Sequence, residues 1–325
     1  MNQNDNLNEF LLSPLEFKEI DELLNVSPFE YSFQDNPISM EVADLEKQLL
    51  ESNFILQEFN VKSLLLNHHK EELEERGYTV IKEVLNEEEV NEISKKMTEH
   101  MEKVTSISGN KLKHFAQYDH NAGHSEAQWL VRNNEKVIKV FEDLLETNSI
   151  CSSFEGFGYS RFESRVLTSF HCHQPRDEEE TFTTSQIMLD DVNGIDNIIK
   201  IKIGSHLMKS KLKRSSKGRY FQYSAMKYSS GVDVANLKLK RGDMLLLNSK
   251  TLFCNRNESR KPFKVSNVTM FPRSKLSIDD LKLRMDSFIK GSTCNASPKI
   301  EVIGDEYTNL FYKDCFSENF LSKVI

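Results

Sequence analysis

The chain has 325 residues, of which 38% are hydrophobic and 28% charged, so it can form one large domain with appendages. The net charge is −8 at pH 7, but residues 1–60 hold 13 Asp and Glu against two Lys, so the remainder is near neutral. No stretch approaches the roughly 18 apolar residues of a membrane span, and we expect no signal or transit peptide at this polar, acidic N-terminus. The five cysteines are scattered without a CxxC pair. They predict reduced thiols in a cytoplasmic protein, with a nuclear location as the alternative.

Residues 1–60 interleave acidic side chains with Leu, Phe and Tyr. This pattern is typical of flexible arms that fold on a partner. An arm that wraps back on its own domain, or a spacer, is the favoured interpretation, and a protein-binding segment is the alternative. We therefore predict an acidic N-terminal arm over residues 1–60, a folded domain over residues 61–300 and a C-terminal extension over residues 301–325.

Helices are predicted at the beginning of the domain. Residues 64–76 have helical spacing and end at Gly77, and Asn86 with Glu89 resembles a capping box at the start of the next helix. Residues 129–147 predict one further helix, with Trp129 as a core anchor.

Strand-type segments follow one another with no long helical pattern between them until Ser277, which caps a closing helix. They cover residues 150–154, 166–173, 181–189, 198–203, 234–239, 244–247 and 265–271. Seven or eight such strands predict a mostly β protein with flanking helices, either a β-sandwich or a jelly-roll barrel.

The densest group of metal-ligand side chains is in the segment 170–174, Phe-His-Cys-His-Gln. In a strand His171 and His173 point the same way, so they could supply half of a metal site. A second polar loop holds His114, Asp119, His120 and His124, but its spacing matches no standard zinc pattern, so an ordinary loop is favoured.

Residues 209–219 form a basic run without an acidic residue. A solvated loop between strands is the favoured interpretation, and a phosphate-binding or nuclear-targeting segment is the alternative. The pI of about 5.7 argues against a dedicated nucleic-acid-binding protein.

A series of short motifs, in order along residues 73–298, resembles the phytanoyl-CoA hydroxylase-like family of iron(II)/2-oxoglutarate-dependent oxygenases. The motifs are residues 75–81, 86–90, 128–132, 152–156, 203–206, 241–244 and 269–273. The resemblance implies a double-stranded β-helix, a jelly-roll or cupin-like barrel, which agrees with the strand pattern.

The resemblance also implies a metal site made by a His-x-Asp pair and a distal His, with a basic residue holding 2-oxoglutarate. His171 matches the first ligand, whereas His173 stands in the carboxylate position and Phe253 in the position of the distal His. Lys264, with Arg260 as the nearby alternative, stands where the family has its cosubstrate-binding residue.

Two functions follow from these departures. The favoured one is a non-catalytic binding or regulatory barrel that holds an unidentified small molecule without iron or cosubstrate. The alternative is an atypical dioxygenase that uses Fe(II) and 2-oxoglutarate to hydroxylate a small molecule. In that case His171 and His173 bind the metal together with Cys254 or His206.

Overall fold

The structure is a computed structural model that describes residues 61–108, 116–117, 121–160, 166–167, 170–174, 180–195, 197–208, 233–257, 263–299 and 302. The predicted arm, and all of the predicted C-terminal extension except Val302, lie outside these residues. No helix in the described ranges is long and apolar enough to cross a membrane.

The described helices are α1 (Asn67–Arg76), α2 (Glu87–Ser108), α3 (Glu126–Arg132), α4 (Glu135–Leu145) and α5 (Ile278–Lys290). The described strands are β1 (Tyr78–Ile81), β2 (Ala116–Gln117), β3 (Ile150–Ser152), β4 (Phe157–Ser160), β5 (Val166–Leu167), β6 (Thr183–Met188), β7 (Asn197–Lys202), β8 (Val234–Leu237), β9 (Met244–Asn248), β10 (Phe253–Asn257) and β11 (Phe263–Pro272).

The strands form two antiparallel sheets. A seven-stranded sheet has the order β1-β9-β6-β11-β4-β2, with β3 paired to β11, and a four-stranded sheet has the order β5-β10-β7-β8. Helices α1–α4 precede most of the strands, and α5 follows the last one. Two antiparallel sheets with helices before and after them confirm the expected mostly β class with flanking helices.

Apolar side chains from both sheets pack against one another, and we call this the inter-sheet layer. It includes Met188, Leu245, Leu247 and Val265 of the large sheet and Ile199, Ile201, Leu237 and Phe253 of the small sheet or its edge. The alternate residues of the large sheet, such as Ile187 and Val268, pack against helices α2 and α4. This two-sided burial follows from the period of two along each strand.

Local signals in the sequence place several element ends correctly. Gly77 ends α1 in a left-handed conformation with φ of 82°, where a side chain would also meet the His206 ring. Glu89 and Asn86 exchange side-chain to backbone hydrogen bonds of 2.7 and 2.9 Å, which confirms the predicted capping box. The Ser277 hydroxyl caps α5 as expected.

One predicted helix is wrong in its continuity. The predicted helix over residues 129–147 is two helices, because the Asn134 side chain accepts hydrogen bonds from the backbone of Lys136 and Val137 and begins α4. Of the predicted strand over residues 166–173, residues 166–167 form β5 and His171 makes an isolated bridge with Phe253, while residues 168–169 lie outside the described residues. Strand β4 has no counterpart among the predicted strands.

Candidate functional site

The candidate site is built where the segment 170–174 runs beside the start of β10. The backbone N–H of His171 donates to the Phe253 carbonyl at 2.9 Å, and the Phe253 N–H donates back to the His171 carbonyl at 2.9 Å. Three residues later the Gln174 N–H donates to the Ser249 carbonyl at 2.8 Å. His171 and Phe253 are therefore directly opposite one another.

The Phe253 ring contacts both histidines. Its centroid lies 4.4 Å from the His171 ring and 4.9 Å from the His173 ring, while the two imidazole centroids are 6.1 Å apart. Phe253 is only 1% exposed and belongs to the inter-sheet layer. The two imidazoles thus lie on the same side of their segment, as predicted, and an apolar ring packs against both.

His173 has a fixed partner within the site. Its Nδ1 lies 2.9 Å from the Thr184 hydroxyl of β6, so this contact links the segment to the large sheet. Burial, and secondly the neighbouring His171 ring, lowers the pKa of His173 to about 3. His173 is therefore neutral at physiological pH and can act as a hydrogen-bonding group or a metal ligand.

Sequence reasoning missed the polar groups that continue from this site. The Asn255 side chain donates to Gln186 at 3.4 Å, and Gln186 donates to the Asn267 side chain at 3.3 Å. These residues and Thr184 occupy alternate positions of their strands, in phase with Met188 and Val265 of the inter-sheet layer. The sequence did contain a signal for these groups: the polar residues alternate along each strand at the same positions as the apolar residues that point into the inter-sheet layer.

The two proposed third ligands lie elsewhere. Cys254 follows Phe253 in the strand and faces away from the inter-sheet layer, where burial raises the pKa of its thiol. His206 Nε2 lies 2.8 Å from the Glu74 carbonyl at the end of α1. Within the described ranges, no three His, Cys, Asp or Glu side chains are placed to hold a metal ion. These ranges thus supply two imidazoles where the implied iron site needs three ligands.

Lys264, the first of the two residues expected to bind the cosubstrate, does not face the site. Lys264 lies between Phe263 and Val265, which both point into the inter-sheet layer, so its side chain points to the opposite face. Its backbone N–H donates to the Asp190 carboxylate at 2.9 Å. Arg260 lies outside the described residues.

His124 is the one member of the second histidine loop that is described, and it belongs to a buried group around α3. His124 Nε2 lies 3.0 Å from the Ser292 carbonyl, and its ring packs against Trp129 and Phe154. Trp129 is 1% exposed, which confirms its expected place in the core. His114, Asp119 and His120 lie outside the described residues.

Solved structures with the same arrangement of elements include the non-heme α-ketoglutarate-dependent carbocyclase SnoK from nogalamycin biosynthesis. The match has a TM-score of 0.51 and 18% identity, and covers 64% of this chain and 84% of that chain. The epimerase SnoN in complex with Fe3+, α-ketoglutarate and nogalamycin RO matches with a TM-score of 0.51 and 14% identity, over 63% of this chain and 82% of that chain. The chain shares the fold of these non-heme α-ketoglutarate-dependent enzymes.

A third similar structure is AviO1 from Streptomyces viridochromogenes Tue57, with a TM-score of 0.50 and 11% identity over 66% of this chain and 98% of that chain. No protein-family model and no curated protein sequence matches the chain. At these identities the similarity concerns the fold, and the chemistry has to be argued from the side chains.

Proposed function

We propose that the chain is a phytanoyl-CoA dioxygenase-like protein whose two sheets form a double-stranded β-helix and whose iron site has been lost. In this proposal it acts as a non-catalytic binding or regulatory module, with an unidentified small molecule between the sheets and a protein partner for residues 1–60. The observation that carries the proposal is the Phe253 ring, which stands opposite His171 and contacts both imidazoles.

The energetics of Phe253 support this proposal. Burying a phenylalanine side chain contributes about 1.5–3 kcal/mol, so the ring stabilises the inter-sheet layer without any metal. A distal histidine at the same position would be a buried polar group whose ring nitrogens need partners. Replacing the ligand with an apolar ring therefore exchanges a metal-binding function for packing.

A second candidate is an atypical Fe(II)/2-oxoglutarate-dependent dioxygenase, and one observation favours it. The Nδ1 of His173 is engaged by Thr184, which leaves Nε2 for a ligand, and metal-binding histidines commonly use their other nitrogen in this way. In this candidate His171 and His173 bind the metal, and Arg260 holds the cosubstrate, because the Lys264 side chain points away from the inter-sheet layer. The chemistry supplied by bound iron would be oxidation of a small molecule coupled to 2-oxoglutarate breakdown.

Metal content and cosubstrate turnover separate the two candidates. The purified chain is reconstituted anaerobically with Fe(II), desalted and subjected to elemental analysis, and succinate release from 2-oxoglutarate is then followed in air. We expect far less than about one iron per chain and no succinate above that of His171→Ala. Stoichiometric iron together with succinate release that disappears in His171→Ala would refute the non-catalytic proposal and establish the dioxygenase.

A further inference from the structure

Residues 61–66 lead into α1, and we call them the entry segment. Leu65 is 7% exposed and belongs to the hydrophobic cluster between the large sheet and the helices, and Leu64 packs against that cluster. Val61 lines a groove of about 640 Å³ together with Leu130 of α3. The entry segment therefore covers apolar surface of the domain and forms one wall of this groove.

A histidine closes the junction between the entry segment and α1. The backbone N–H of Leu66 donates to the Nδ1 of His69 at 3.0 Å, and the His69 N–H donates to the Leu66 carbonyl at 2.9 Å. His69 is the third residue of α1, the position from which Glu or Gln makes the same side-chain contact in a capping box. Since His69 is buried, the Leu66 N–H depends on this ring for its acceptor.

The contact between His69 and Leu66 requires an unprotonated Nδ1. A neutral imidazole accepts a hydrogen bond at one ring nitrogen, whereas an imidazolium donates at both. Protonation of His69 would therefore set its Nδ1–H against the Leu66 N–H. It would also place a positive charge in the first turn of α1, where the helix dipole is unfavourable to cations. The docked entry segment is thus compatible with the neutral ring and incompatible with the charged one.

We propose that His69 is an acid-sensitive latch, which holds the entry segment on the domain at neutral pH and releases it in mildly acidic solution. In the open state the entry segment leaves the domain, so that Leu65 is uncovered and the groove beside Leu130 loses the wall that Val61 provides. The latch is a regulatory device built into the start of the domain, and it operates whether or not the iron site has been lost.

The groups around His69 set the direction of this pH dependence. Burial first, and then the exposed His68 ring with its centroid 4.0 Å away, lower the pKa of His69, whereas Glu72 raises it. Lys70 pairs with Glu146 at the end of α4 at 2.8 Å, and no charged group of another element in the described ranges acts on His69. Because the pKa in the folded state lies below the usual 6.5, the docked state loses stability as the pH falls through 6.5.

Hydrogen exchange of the full chain at about pH 7 and pH 5, followed by mass spectrometry, tests the latch. The exchange rate of peptides covering residues 61–69 is divided by the intrinsic rate at each pH, which gives an opening constant. The test variant is His69→Gln, because a glutamine at this position can accept from the Leu66 N–H but does not titrate. The matched control is His68→Gln, which removes the exposed neighbouring imidazole. A third variant, His69→Leu, removes the acceptor at both pH values.

Between pH 7 and 5 we expect the opening constant of the unmodified chain and of His68→Gln to rise at least about threefold and at most about 25-fold. In His69→Gln it should stay within about twofold, and in His69→Leu it should exceed that of the unmodified chain at pH 7 at least about threefold. A pH-independent opening of the unmodified chain, or the same rise in His69→Gln, would refute the latch. So would an equal rise in peptides from α3, since that result would identify unfolding of the whole domain.

Discussion

Two regions in the interior of this molecule each hold a neutral histidine, His124 in one and His173 in the other. The hydrogen-bond partners that fix the two rings are of different kinds. In the α3 cluster, which we define as His124, Gln128, Trp129, Arg132 and Glu155, the side-chain nitrogens of His124, Gln128 and Arg132 lie at hydrogen-bond distance from backbone carbonyls. Hydroxyl groups of two serines donate to the remaining acceptors, Ser153 to Glu155 and Ser266 to Gln128. Gln128 Nε2 reaches the carbonyls of Glu155, Gly156 and Asn267 at 2.9, 3.1 and 2.9 Å. In the inter-sheet layer the polar side chains bind one another, as His173 does Thr184.

The comparison shows that a perturbed pKa does not by itself identify a functional site. Burial lowers the pKa of both His124 and His173 to about 3, yet His124 is a packing element fixed between Trp129 and Phe154. The two histidines are distinguished only by their positions in the fold. His173 lies in a segment that runs beside the small sheet, and it contacts Thr184 of the large sheet. Side chains that bind backbone cannot change without loss of the fold, whereas side chains that bind each other can change together.

The largest expected effect is on the α3 cluster. The Arg132 guanidinium donates to the carbonyls of Gly123 and Glu155, and it is fully buried near the Glu155 carboxylate. Arg132→Met should cost about 3–5 kcal/mol, because it leaves two buried carbonyls without their donor and removes a positive charge near the buried Glu155 carboxyl group. Urea unfolding measures the loss.

The same substitution at a surface arginine is the control. Arg76 is 52% exposed and pairs with Glu72 one turn away in α1, so Arg76→Met should cost no more than about 0.5 kcal/mol. Similar losses at both positions would mean that the carbonyl contacts of Arg132 add nothing to stability.

The next effect concerns the inter-sheet layer, where we expect paired changes to be tolerated. The double substitution His173→Asp/Phe253→His restores the ligand types that the resemblance implies around His171. With Fe(II) at about 100 times its dissociation constant, under anaerobic conditions, the double variant should gain about 2.7 kcal/mol of unfolding free energy, and the unmodified chain should gain none.

Adding His171→Ala to the double variant should abolish the metal-dependent gain. If Fe(II) stabilises the unmodified chain to the same extent, then Phe253 does not exclude metal. The proposal that the metal site of the inter-sheet layer has been lost would then be wrong. If the double variant gains nothing although it folds, the position of Phe253 does not correspond to that of a distal ligand.

The sequence predicted these two regions unequally, for physical reasons. The capping box joins Asn86 and Glu89, three residues apart, so a local pattern was sufficient to predict it. The position of Trp129 in a helical pattern predicted its burial, although its ring packs against the distant Phe154 and Phe288. The resemblance singled out His171 and Phe253 by their positions in the sequence, and their placement opposite one another was found only in the structure. The Thr184 contact with His173 joins two separate segments, and no local pattern specifies it.

Acid stability should reveal the neutral histidine of the α3 cluster. The unfolded chain takes up a proton on His124 near pH 6.5, whereas the folded chain does so only near pH 3. Below pH 6.5 the unfolded state therefore binds more protons, and stability falls as the pH is lowered. Between pH 6.5 and 5 this residue should account for a loss of up to about 2 kcal/mol.

His124→Gln tests this assignment, because a glutamine amide can still donate to the Ser292 carbonyl but does not titrate. The unfolding free energy of each protein is measured across pH 5–7, and only the slopes are compared. The slope of the variant should be shallower by up to about 1.4 kcal/mol per pH unit. Identical slopes would assign the acid sensitivity to other groups.

The smallest expected effect measures how strongly side chains are coupled in the inter-sheet layer. Thr184→Val removes the hydroxyl that lies 2.9 Å from His173 Nδ1 and keeps the shape of the side chain. A double-mutant cycle with His173→Leu should give a coupling free energy of about 1 kcal/mol, as for one partly buried hydrogen bond. Because both partners are side chains, the double variant should be more stable than the sum of the single losses predicts. A coupling indistinguishable from zero would mean that Phe253 packing alone holds His173, and the layer would then resemble the α3 cluster in depending on fixed neighbours.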